Sequence, residues 1–453
     1  MAIAIQSLWI PIDADVSWLL TVSERVLSGD GLYVDILEVN PPASVWLYLP
    51  LVWLAHLVDV RPEAVVVAAF IAASLASVLA TVRLACRLDD APRPVWLTAI
   101  LSFILLVLPM GLFAQREHAA LILAFPALAG IACLPERKAV GTRTLLALGF
   151  AAGLVIDIKP VFVFAILAPA AWAAWKRQSL APFLAPAAAA ATAMLLYGAA
   201  VLLFARSYLG YLPVIAHTYA PMHFTLWKVL VGPVMFPATS LALAFLLRPK
   251  SVPALAVASA LSSSGFVLAA IIQAKNYPNH WFPGEALALA AALLLLAMPN
   301  IARSRRMAVG AALGFVAVCE MYSWLIRPDP AVAAAVVRVA PASPSMIALG
   351  TELTTGHPLT RNVGGEWVGS SAALFTAAGA RFVGLDDPIA LQAYRADLQQ
   401  FATDVREHSP DVILVDERSK TWLMREPVIA RVMSGYRPAA QVEKTEIWTP
   451  RGR

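Results

Sequence analysis

Two carboxylates near the start of the chain, Asp13 and Asp15, are separated by a single alanine. This arrangement suits a general base that takes a proton from an acceptor hydroxyl, or a carboxylate pair that holds a divalent cation. Alternatively, Asp15 only caps a helix predicted for Val16–Ser28, with Gly29 as the residue that ends it, and Asp13 is solvated. Their place beside a long apolar sequence favours chemistry, because carboxylates next to hydrocarbon cost free energy unless they face water or act in a reaction.

A second acidic group follows in the same polar stretch. Asp35 and Glu38 are three residues apart and would share a face if this segment is helical. They are candidates for the acceptor side of a site or for metal ligation. Asn40, before two prolines, predicts an extended exit from the segment. A turn that merely leads to the next helix explains the same residues equally well.

Gln115-Arg116-Glu117-His118 lies where one apolar segment ends and the next begins. Charged side chains at such a boundary are expensive unless they have partners. Arg116 could bind a phosphate through two parallel hydrogen bonds, which a lysine cannot reproduce. The other interpretation is anchoring at the membrane interface, with Arg116 paired to Glu117. Four polar residues in a row favour a functional site over simple anchoring.

Asp157-Ile-Lys159-Pro160 interrupts an apolar run. A lysine followed by proline at membrane depth predicts a helix break that lines a cavity, where Lys159 could face an anionic ligand. The competing interpretation is that Lys159 extends outward to the membrane surface.

The last polar group runs from Lys275 to Trp281 and contains Asn276, Tyr277 and His280. A lysine, a histidine, amides and aromatic rings suit a phosphate or pyrophosphate group together with a sugar ring. The alternative is a belt of aromatic residues with a basic anchor at the membrane interface.

The composition places these groups in a membrane protein. The chain has 453 residues, of which 60% are hydrophobic and 14% charged, with a mean hydropathy of +0.72. Soluble domains are about one quarter charged. The net charge of +5 does not indicate nucleic-acid binding, because the basic residues form short clusters at helix ends. Cys86, Cys133 and Cys319 show neither metal-ligand spacing nor a disulfide pattern.

Apolar segments predict a mainly helical, polytopic fold with about 10–11 spans, counted with the ~20 residues that a span needs. Met1–Ile10 is too short and lacks signal-peptide features, so it is either a truncated span or preceded by further sequence. Residues 43–58 are marginal and are predicted not to span. The predicted spans lie at 64–85, 95–112, 119–134, 144–158, 160–175, 181–204, 227–247, 252–273, 282–299 and 307–326.

Basic residues set the predicted orientation. Alternate short loops are rich in Lys and Arg, as in Arg83–Arg93 and Arg303–Arg306, and the positive-inside rule places those loops in the cytoplasm. The candidate site residues then all emerge on the extracytoplasmic face. The predicted domains are a transmembrane domain at 1–327, with a first outer loop at 11–42, and an extracytoplasmic α/β domain at 345–453. The elements predicted in the α/β domain are strands at Met346–Gly350, Arg381–Gly384 and Val412–Asp416, helices at Leu391–His408 and Thr421–Met433, and a final hairpin formed by Tyr436–Val442 and Thr445–Thr449.

Several runs of this sequence resemble the GT-C superfamily of integral-membrane glycosyltransferases, which includes protein O-mannosyltransferases and lipid A aminoarabinose transferases. Asp13 and Asp15, the GDGLYVD run and the NPP turn look like the first outer loop of that superfamily, and QREHAALILAFPAL and QAKNYPNHWFP look like runs of bacterial members. The resemblance covers the membrane part by organisation, but its motifs cover only a few tens of residues. The near-absent first span is a departure. Another is D-A-D where relatives often have adjacent acids, which leaves the base assignment open.

The resemblance implies sugar transfer from a polyprenyl-phosphate donor to a glycan, glycolipid or protein acceptor, by single displacement with inversion, on the outer face of the inner (plasma) membrane. Asp15, or failing that Asp13, takes the acceptor proton, and Asp35 and Glu38 act on the acceptor or metal side. No cofactor is implied as certain, and a divalent cation stays open. The donor phosphate is bound by Arg116, His118, Lys159, Lys275 and His280, and the substrate is contacted by Glu117, Asn276 and Tyr277.

Two other classes of function remain. A membrane transporter or lipid flippase would use Lys159, Asp157 and Arg116 as intramembrane binding or relay groups. The sequence shows no repeated halves, which many transporters have. A structural assembly protein would use the C-terminal domain as a binding module.

Overall fold

The computed structural model describes residues 12–135, 140–325 and 330–452, so the predicted partial span at Met1–Ile10 lies outside the described residues. Contacts group the described chain into two compact units. The first comprises residues 64–135, 140–200 and 223–325, and the second comprises 12–63, 201–222 and 330–452. The predicted division at 327 and 345 stays a prediction.

Helices account for the chain up to Val339. Single-turn pieces at Ala43–Trp46, Met110–Leu112, Pro160–Phe162 and Ala181–Phe183 separate some of them, and a π-helical turn covers Phe103–Val107. The longer helices are α1 (Ala14–Leu27), α2 (Leu49–Leu57), α3 (Pro62–Ala85), α4 (Pro94–Ser102), α5 (Arg116–Cys133), α6 (Thr142–Ile158), α7 (Val163–Arg177), α8 (Leu184–Phe204), α9 (Ser207–His217), α10 (Leu226–Leu246), α11 (Ala254–Gln273), α12 (Pro278–Leu296), α13 (Arg303–Ser323) and α14 (Pro330–Val339).

The predicted membrane fold is confirmed. Among the described residues, six helices are long and apolar enough to cross a bilayer: α3, α5, α8 with the turn before it, α10, α11 and α13. The helices at the other predicted spans, α4, α6, α7 and α12, are shorter, interrupted or polar at one end. Residues 43–58, which were predicted not to span, form two short helices.

The first unit is built around α5, which is the most buried of the six spanning helices. It packs against α6, α7, α11 and α12. Small residues allow this packing, because a Cβ atom on Gly265 of α11 would lie 2.4 Å from the backbone oxygen of Phe164 in α7. The polar residues that begin α5 are therefore held inside a close-packed bundle.

The C-terminal part of the second unit is an α/β domain. Its elements are β1 (Ser345–Leu349), a helical turn at Leu359–Asn362, β2 (Glu366–Trp367), α15 (Phe375–Val383), α16 (Pro388–His408), β3 (Val412–Asp416), α17 (Glu417–Leu423), α18 (Pro427–Met433), β4 (Tyr436–Val442) and β5 (Thr445–Pro450). The strands form one five-stranded sheet in the order β2-β1-β3-β5-β4. Strands β1, β2 and β3 are parallel, and β5 and β4 form the predicted antiparallel hairpin.

Two local predictions in this domain were wrong. Arg381–Gly384 was expected to be a strand, yet it closes α15, since Ala377 and Ala380 are buried with helical spacing and Gly384 ends the helix at a φ of 114°. The helix expected at Thr421–Met433 is divided into α17 and α18, because Pro427 cannot continue a helix from its preceding turn.

The orientation predicted from the basic loops can be tested with two cysteines in a background where Cys86, which is exposed, is replaced by alanine. A Cβ atom at Gly141 has open space, and one at Gly435 meets only a carbonyl oxygen at 3.5 Å, so neither substitution should disturb folding. We expect Gly435→Cys to react with a membrane-impermeant thiol reagent added to intact cells, and Gly141→Cys to react only after permeabilisation. The reverse labelling pattern would overturn the orientation.

Candidate functional site

Three charged or titratable residues open α5 inside the first unit. Arg116 is 3% exposed, and Glu117 and His118 are fully buried. Gln115 is the N-cap residue, with an extended backbone that starts the helix. The first turn of a helix offers unsatisfied N–H groups and a partial positive charge, so it is suited to an anion.

The ring of His118 is held by backbone groups at both nitrogens. Its Nδ1 accepts a hydrogen bond from the Ala114 N–H at 3.1 Å, so the proton is on Nε2, which donates to the Leu105 carbonyl at 2.9 Å. Leu105 lies in the π-helical turn, where the backbone ladder is irregular. His118 therefore fixes the start of α5 relative to this turn, which makes it a positioning residue for its neighbours Arg116 and Glu117.

Lys159 lies at the predicted helix break. Helix α6 ends at Ile158, Lys159 has an extended backbone, and Pro160 begins a new turn. Its ammonium is 2.5 Å from Glu117 Oε1, and the residue is 8% exposed, so it does not extend outward to the membrane surface. Glu117 thus pairs with Lys159, a contact that the sequence did not predict.

The polar run at Lys275–Trp281 covers the end of the loop between α11 and α12 and the first turn of α12, which begins at Pro278. Lys275, Asn279 and His280 are buried, and Asn279 donates a long hydrogen bond of 3.4 Å to Glu117 Oε1. The loop lies against Gly232 of α10, where a Cβ atom would overlap the ring of Trp281. The glycine therefore lets the loop approach α10 closely. Tyr277 stacks edge-on against His280 with 5.6 Å between the ring centroids.

These residues form one group, which we call the cationic cluster: Arg116, Lys159, Lys275 and His280 around Glu117. His280 is within electrostatic range of all three cations, and Glu117 of Lys159 and Arg116. Three cations thus lie near His280, and two of them, Lys159 and Arg116, lie near Glu117. Within the described chain, Glu117 Oε2, His280 Nδ1, Asn276 Oδ1 and Trp281 Nε1 are buried and have no hydrogen-bond partner. An excess of positive charge with open hydrogen-bonding atoms suits an anionic ligand that also has polar groups.

Lys275 differs from the other cations because it lies in a loop outside the spanning helices. Burial lowers the pKa of its ammonium to about 8. The charge of the cluster therefore depends on pH just above neutrality.

Asp157 precedes this lysine break by two residues. Its carboxyl is buried, and its Oδ2 atom has no hydrogen-bond partner in the described chain. The three cations, and not Asp157, define the anion-binding character of the cluster.

In the second unit, Asp13 caps helix α1, and the prediction that Asp15 is the cap was wrong. Helix α1 begins at Ala14, and its N-cap is Asp13, whose Oδ1 accepts from the Asp15 N–H at 2.8 Å. Asp15, predicted to be the cap, lies in the first turn of the helix instead. Gly29 follows the helix end with a φ of 114°, as predicted. Both carboxylates are half-buried.

The second acidic pair is not on a helical face. Glu38 is buried and accepts hydrogen bonds from Trp18 Nε1, the Asn40 N–H and Asn40 Nδ2, so it ties α1 to the chain that follows. Asp35 is exposed and closes a turn by accepting from the Gly31 N–H at 2.8 Å. The turn interpretation explains these contacts, and the acceptor-side role of both residues stays a prediction.

Residues more than 300 positions away along the chain hold α1, and they were not among the predicted site residues. Arg361 pairs with Glu24 of α1 at 2.5 Å and with Glu63 at 2.8 Å. The ring of His357 packs between Trp18 and Trp367, 5.3 Å and 4.6 Å from their centroids. A separation of this kind leaves no local sequence signal. The C-terminal domain thus fixes the helix that carries Asp13 and Asp15.

Two further buried acids were not predicted to be site residues, although the sequence contained a signal for them. Glu285 of α12 and Glu320 of α13 are buried within electrostatic range of each other. In the described residues, Glu285 Oε2 and both Glu320 oxygens lack a hydrogen-bond partner. Ionisable residues inside apolar helices are rare and usually functional, so their position alone could have marked them.

The described residues contain no group of three or more His, Cys, Asp or Glu side chains arranged to hold a metal ion. The divalent-cation role for Asp13 and Asp15 therefore stays a prediction.

Comparison with solved structures identifies the fold. The crystal structure of ArnT from Cupriavidus metallidurans bound to undecaprenyl phosphate superposes with a TM-score of 0.58 at 13% identity, over 99% of this chain and 95% of that one. The apo structure of the same protein gives a TM-score of 0.57 at 12% identity, over 97% and 93% of the two chains. The chain therefore has the GT-C fold, and the predicted resemblance is confirmed at that level.

A weaker likeness is to the arabinofuranosyltransferase AftD from Mycobacteria, with a TM-score of 0.44 at 13% identity, over 100% of this chain and 39% of that one. Comparisons with models of protein families and with curated proteins gave no match.

The buried pair of Glu117 and Lys159 can be tested by a double-mutant cycle. Glu117→Gln leaves the cations without their carboxylate, and removing one partner of a buried ion pair costs about 3–5 kcal/mol. We expect Lys159→Met to cost less, because the other cations still face Glu117. The double variant should recover part of the loss in the free energy of unfolding in detergent. Strictly additive costs would show that the two side chains do not interact.

Proposed function

We propose that this chain is a membrane glycosyltransferase that moves a sugar from a polyprenyl-phosphate donor to an acceptor. The observation that carries the proposal is the cationic cluster, buried at the start of α5 in a fold shared with a protein solved with undecaprenyl phosphate bound. A polyprenyl phosphate combines a hydrocarbon chain with an anion, which matches apolar helices around a group of cations.

The charge of the cluster suits the departing group better than the donor. A donor in which phosphate joins a polyprenyl chain to a sugar is a diester with one negative charge. The polyprenyl phosphate released is a monoester with a charge of about −1.5 to −2 at pH 7. Arg116, Lys159 and Lys275 are cations, so their attraction for the phosphate increases as the bond between sugar and phosphate breaks and the phosphate gains negative charge. Interactions that strengthen in the transition state are the ones that accelerate a reaction.

Each member of the cluster has a distinct role in this proposal. Arg116 binds two phosphate oxygens through its planar guanidinium. Lys159 and Lys275 supply point charges, and Glu117 holds Lys159 in place. His280 and Asn276, with buried atoms that have no hydrogen-bond partner among the described residues, contact the phosphate or the sugar. Tyr277 packs beside His280 and shapes the site.

The second half of the proposed reaction is activation of the acceptor. The acceptor oxygen attacks the anomeric carbon while a carboxylate takes its proton, and the phosphate oxygen leaves with the bonding electrons, which inverts the anomeric centre. Asp15 is the preferred base, because Asp13 already serves as the N-cap of α1. The acceptor is a glycan, glycolipid or protein on the outer face of the plasma membrane, as the loop charges indicate.

A transporter or flippase is the second candidate, and Glu285 with Glu320 is the observation that favours it. Buried carboxyls in spanning helices are typical of proton-linked transport. This function predicts that the lipid crosses the membrane intact, whereas a glycosyltransferase separates the sugar from the phosphate.

The role of Arg116 predicts a specific effect on phosphate binding. We expect Arg116→Lys to weaken binding of undecaprenyl phosphate about tenfold or more, since lysine cannot form the two parallel bonds. Binding can be measured by native mass spectrometry in detergent. Arg93→Lys, at an exposed arginine, is the matched control and should have no effect. Unchanged binding in Arg116→Lys would remove Arg116 from the phosphate site.

Lys275 gives a prediction about pH. Its ammonium is charged below a pKa of about 8 and neutral above it, so affinity for undecaprenyl phosphate should decrease as the pH rises through 8. The phosphate monoester is already largely dianionic there, with a second pKa of about 6. Lys275→Arg should keep the affinity level up to pH 9, and Lys275→Ala should bind weakly throughout. A wild-type affinity that does not change with pH would contradict this role.

The base is tested by paired substitutions. Asp15→Asn cannot accept a proton, and the rate should fall about 10²–10⁴-fold, the usual contribution of a general base. Asp13→Asn should keep most activity, because asparagine caps helices about as well as aspartate. Rates can be measured with lipid-linked sugars extracted from the source cells. If only Asp13→Asn is inactive, the base is Asp13, and if both variants are active, the proposed mechanism fails.

A further inference from the structure

A groove with a volume of about 390 Å³ lies among α4, α12 and α13 of the first unit, and its wall shares no residue with the cationic cluster. In the described part of the chain, that wall is made of apolar and aromatic residues apart from one charged side chain, Arg306. Gly314 of α13 keeps part of the space open, because a Cβ atom there would meet no other atom within 4 Å. Water inside the groove would find few hydrogen-bonding partners, so a hydrocarbon is the better occupant.

Helices α4 and α13 run in the same direction along this groove. Beyond their ends, the Gly111 N–H donates a hydrogen bond of 3.2 Å to the carbonyl of Trp324. Their first turns therefore lie together at the opposite end, where Trp96 of α4 and Arg306 of α13 belong to the wall. Trp96 is 54% exposed. Exposed tryptophan and arginine side chains at the ends of membrane helices are typical of the headgroup level of a bilayer.

Arg306 is held at this end by the chain that follows α12. Its Nη2 atom donates to the carbonyl oxygens of Met298 and Pro299 at 2.6 Å and 3.2 Å. Its Nε atom is buried and has no hydrogen-bond partner in the described residues. Arg303 lies one turn earlier on the same face of α13 and is exposed. Two positive charges thus lie at one end of an apolar groove, which is complementary to a lipid with an anionic headgroup.

The arginine end of the groove is far from the cationic cluster. His280 lies in the first turn of α12, whereas Ala297 follows its last residue and lines the groove. The helix between them is about 25 Å long at its usual rise per residue. Along α13 the groove extends from Arg306 to Ala317, about 16 Å. One leaflet holds about half of the ~30 Å hydrocarbon core of a bilayer, so this length matches one acyl chain and is much shorter than an undecaprenyl chain.

We propose that this groove binds an anionic phospholipid, with one acyl chain between α4 and α13 and the phosphate headgroup against Arg303 and Arg306. Basic groups between membrane helices hold such headgroups by charge. The second acyl chain lies outside the groove, in the bilayer. The site is separate from the proposed donor site and does not depend on the proposed function. Because the lipid binds the folded chain, it also stabilises the packing of the three helices.

The experiment compares dioleoyl phosphatidylglycerol with dioleoyl phosphatidylcholine, which has the same acyl chains, by native mass spectrometry of the whole protein in detergent. The wild type should bind phosphatidylglycerol at least about fivefold more tightly, because each arginine near an anionic headgroup contributes a factor of about five. Arg303→Gln and Arg306→Gln should each lower this ratio severalfold and keep the affinity for phosphatidylcholine. If Arg306→Gln fails to fold, the exposed Arg303 gives the same readout.

A third variant tests the position of the acyl chain. In Gly314→Leu the leucine side chain fills the open space, and both lipids should bind about tenfold more weakly or less, because burial of each CH₂ contributes to affinity. Ala311→Leu is the matched control on α13, at an exposed residue outside the groove wall, and should keep both affinities. Arg143→Gln, at an exposed arginine in the first turn of α6, is the matched control for charge and should keep the ratio.

Other results would overturn the proposal. A wild-type ratio near one, or a ratio that decreases as much in Arg143→Gln as in the two groove variants, would show that the groove has no headgroup site. Wild-type affinities in Gly314→Leu would place the acyl chain elsewhere. Undecaprenyl phosphate serves as the competitor. Its failure to displace phosphatidylglycerol at tenfold excess is expected, and one-for-one displacement would assign the groove to polyprenyl phosphate instead.

Discussion

The first unit must hold positively charged side chains in its buried interior, where little water can solvate them. Three cations with one carboxylate are costly in a low-dielectric bundle unless each is held by geometry. The chain break at Lys159 brings its ammonium to Glu117, and His118 fixes the start of α5 through two backbone contacts. Gly232 lets the loop that carries Lys275, together with the first turn of α12 that carries His280, approach α10. The remaining excess of positive charge is the property from which the proposed phosphate site follows.

Much of the fold could be predicted from the sequence because apolar runs and turn residues are local signals. The helix break at Asp157–Pro160 and the final hairpin at Tyr436–Pro450 followed from such signals. The contact between Glu117 and Lys159 did not, since the two residues are 42 positions apart and no local pattern connects them. The cap of α1 was misplaced by two residues because both Asp13 and Asp15 suit that position, and only the backbone decides between them.

Contacts within the second unit give the C-terminal α/β domain a structural role, because they hold helix α1 in place. Arg361 and His357 belong to the C-terminal part, and both contact α1 and its surroundings. Glu38 adds a buried acceptor that binds Trp18 of the same helix. Long-range ion pairs and ring contacts thus fix the helix that presents Asp13 and Asp15, which a helix lying alone at a membrane surface would not achieve. A base must be held within hydrogen-bond reach of its proton, so this rigidity suits the proposed role.

The central claim is that the protein cleaves the bond between sugar and lipid phosphate. The direct test places the purified protein in vesicles containing polyprenyl-phosphate sugars extracted from the source cells, together with an extract of their surface glycans and envelope proteins. Mass spectrometry then follows the lipids over time. The account predicts that free polyprenyl phosphate appears as the sugar-linked form disappears, and that this requires the intact cationic cluster. Sugar-linked lipid that crosses the vesicle membrane unchanged, without release of polyprenyl phosphate, would contradict it and identify a transporter.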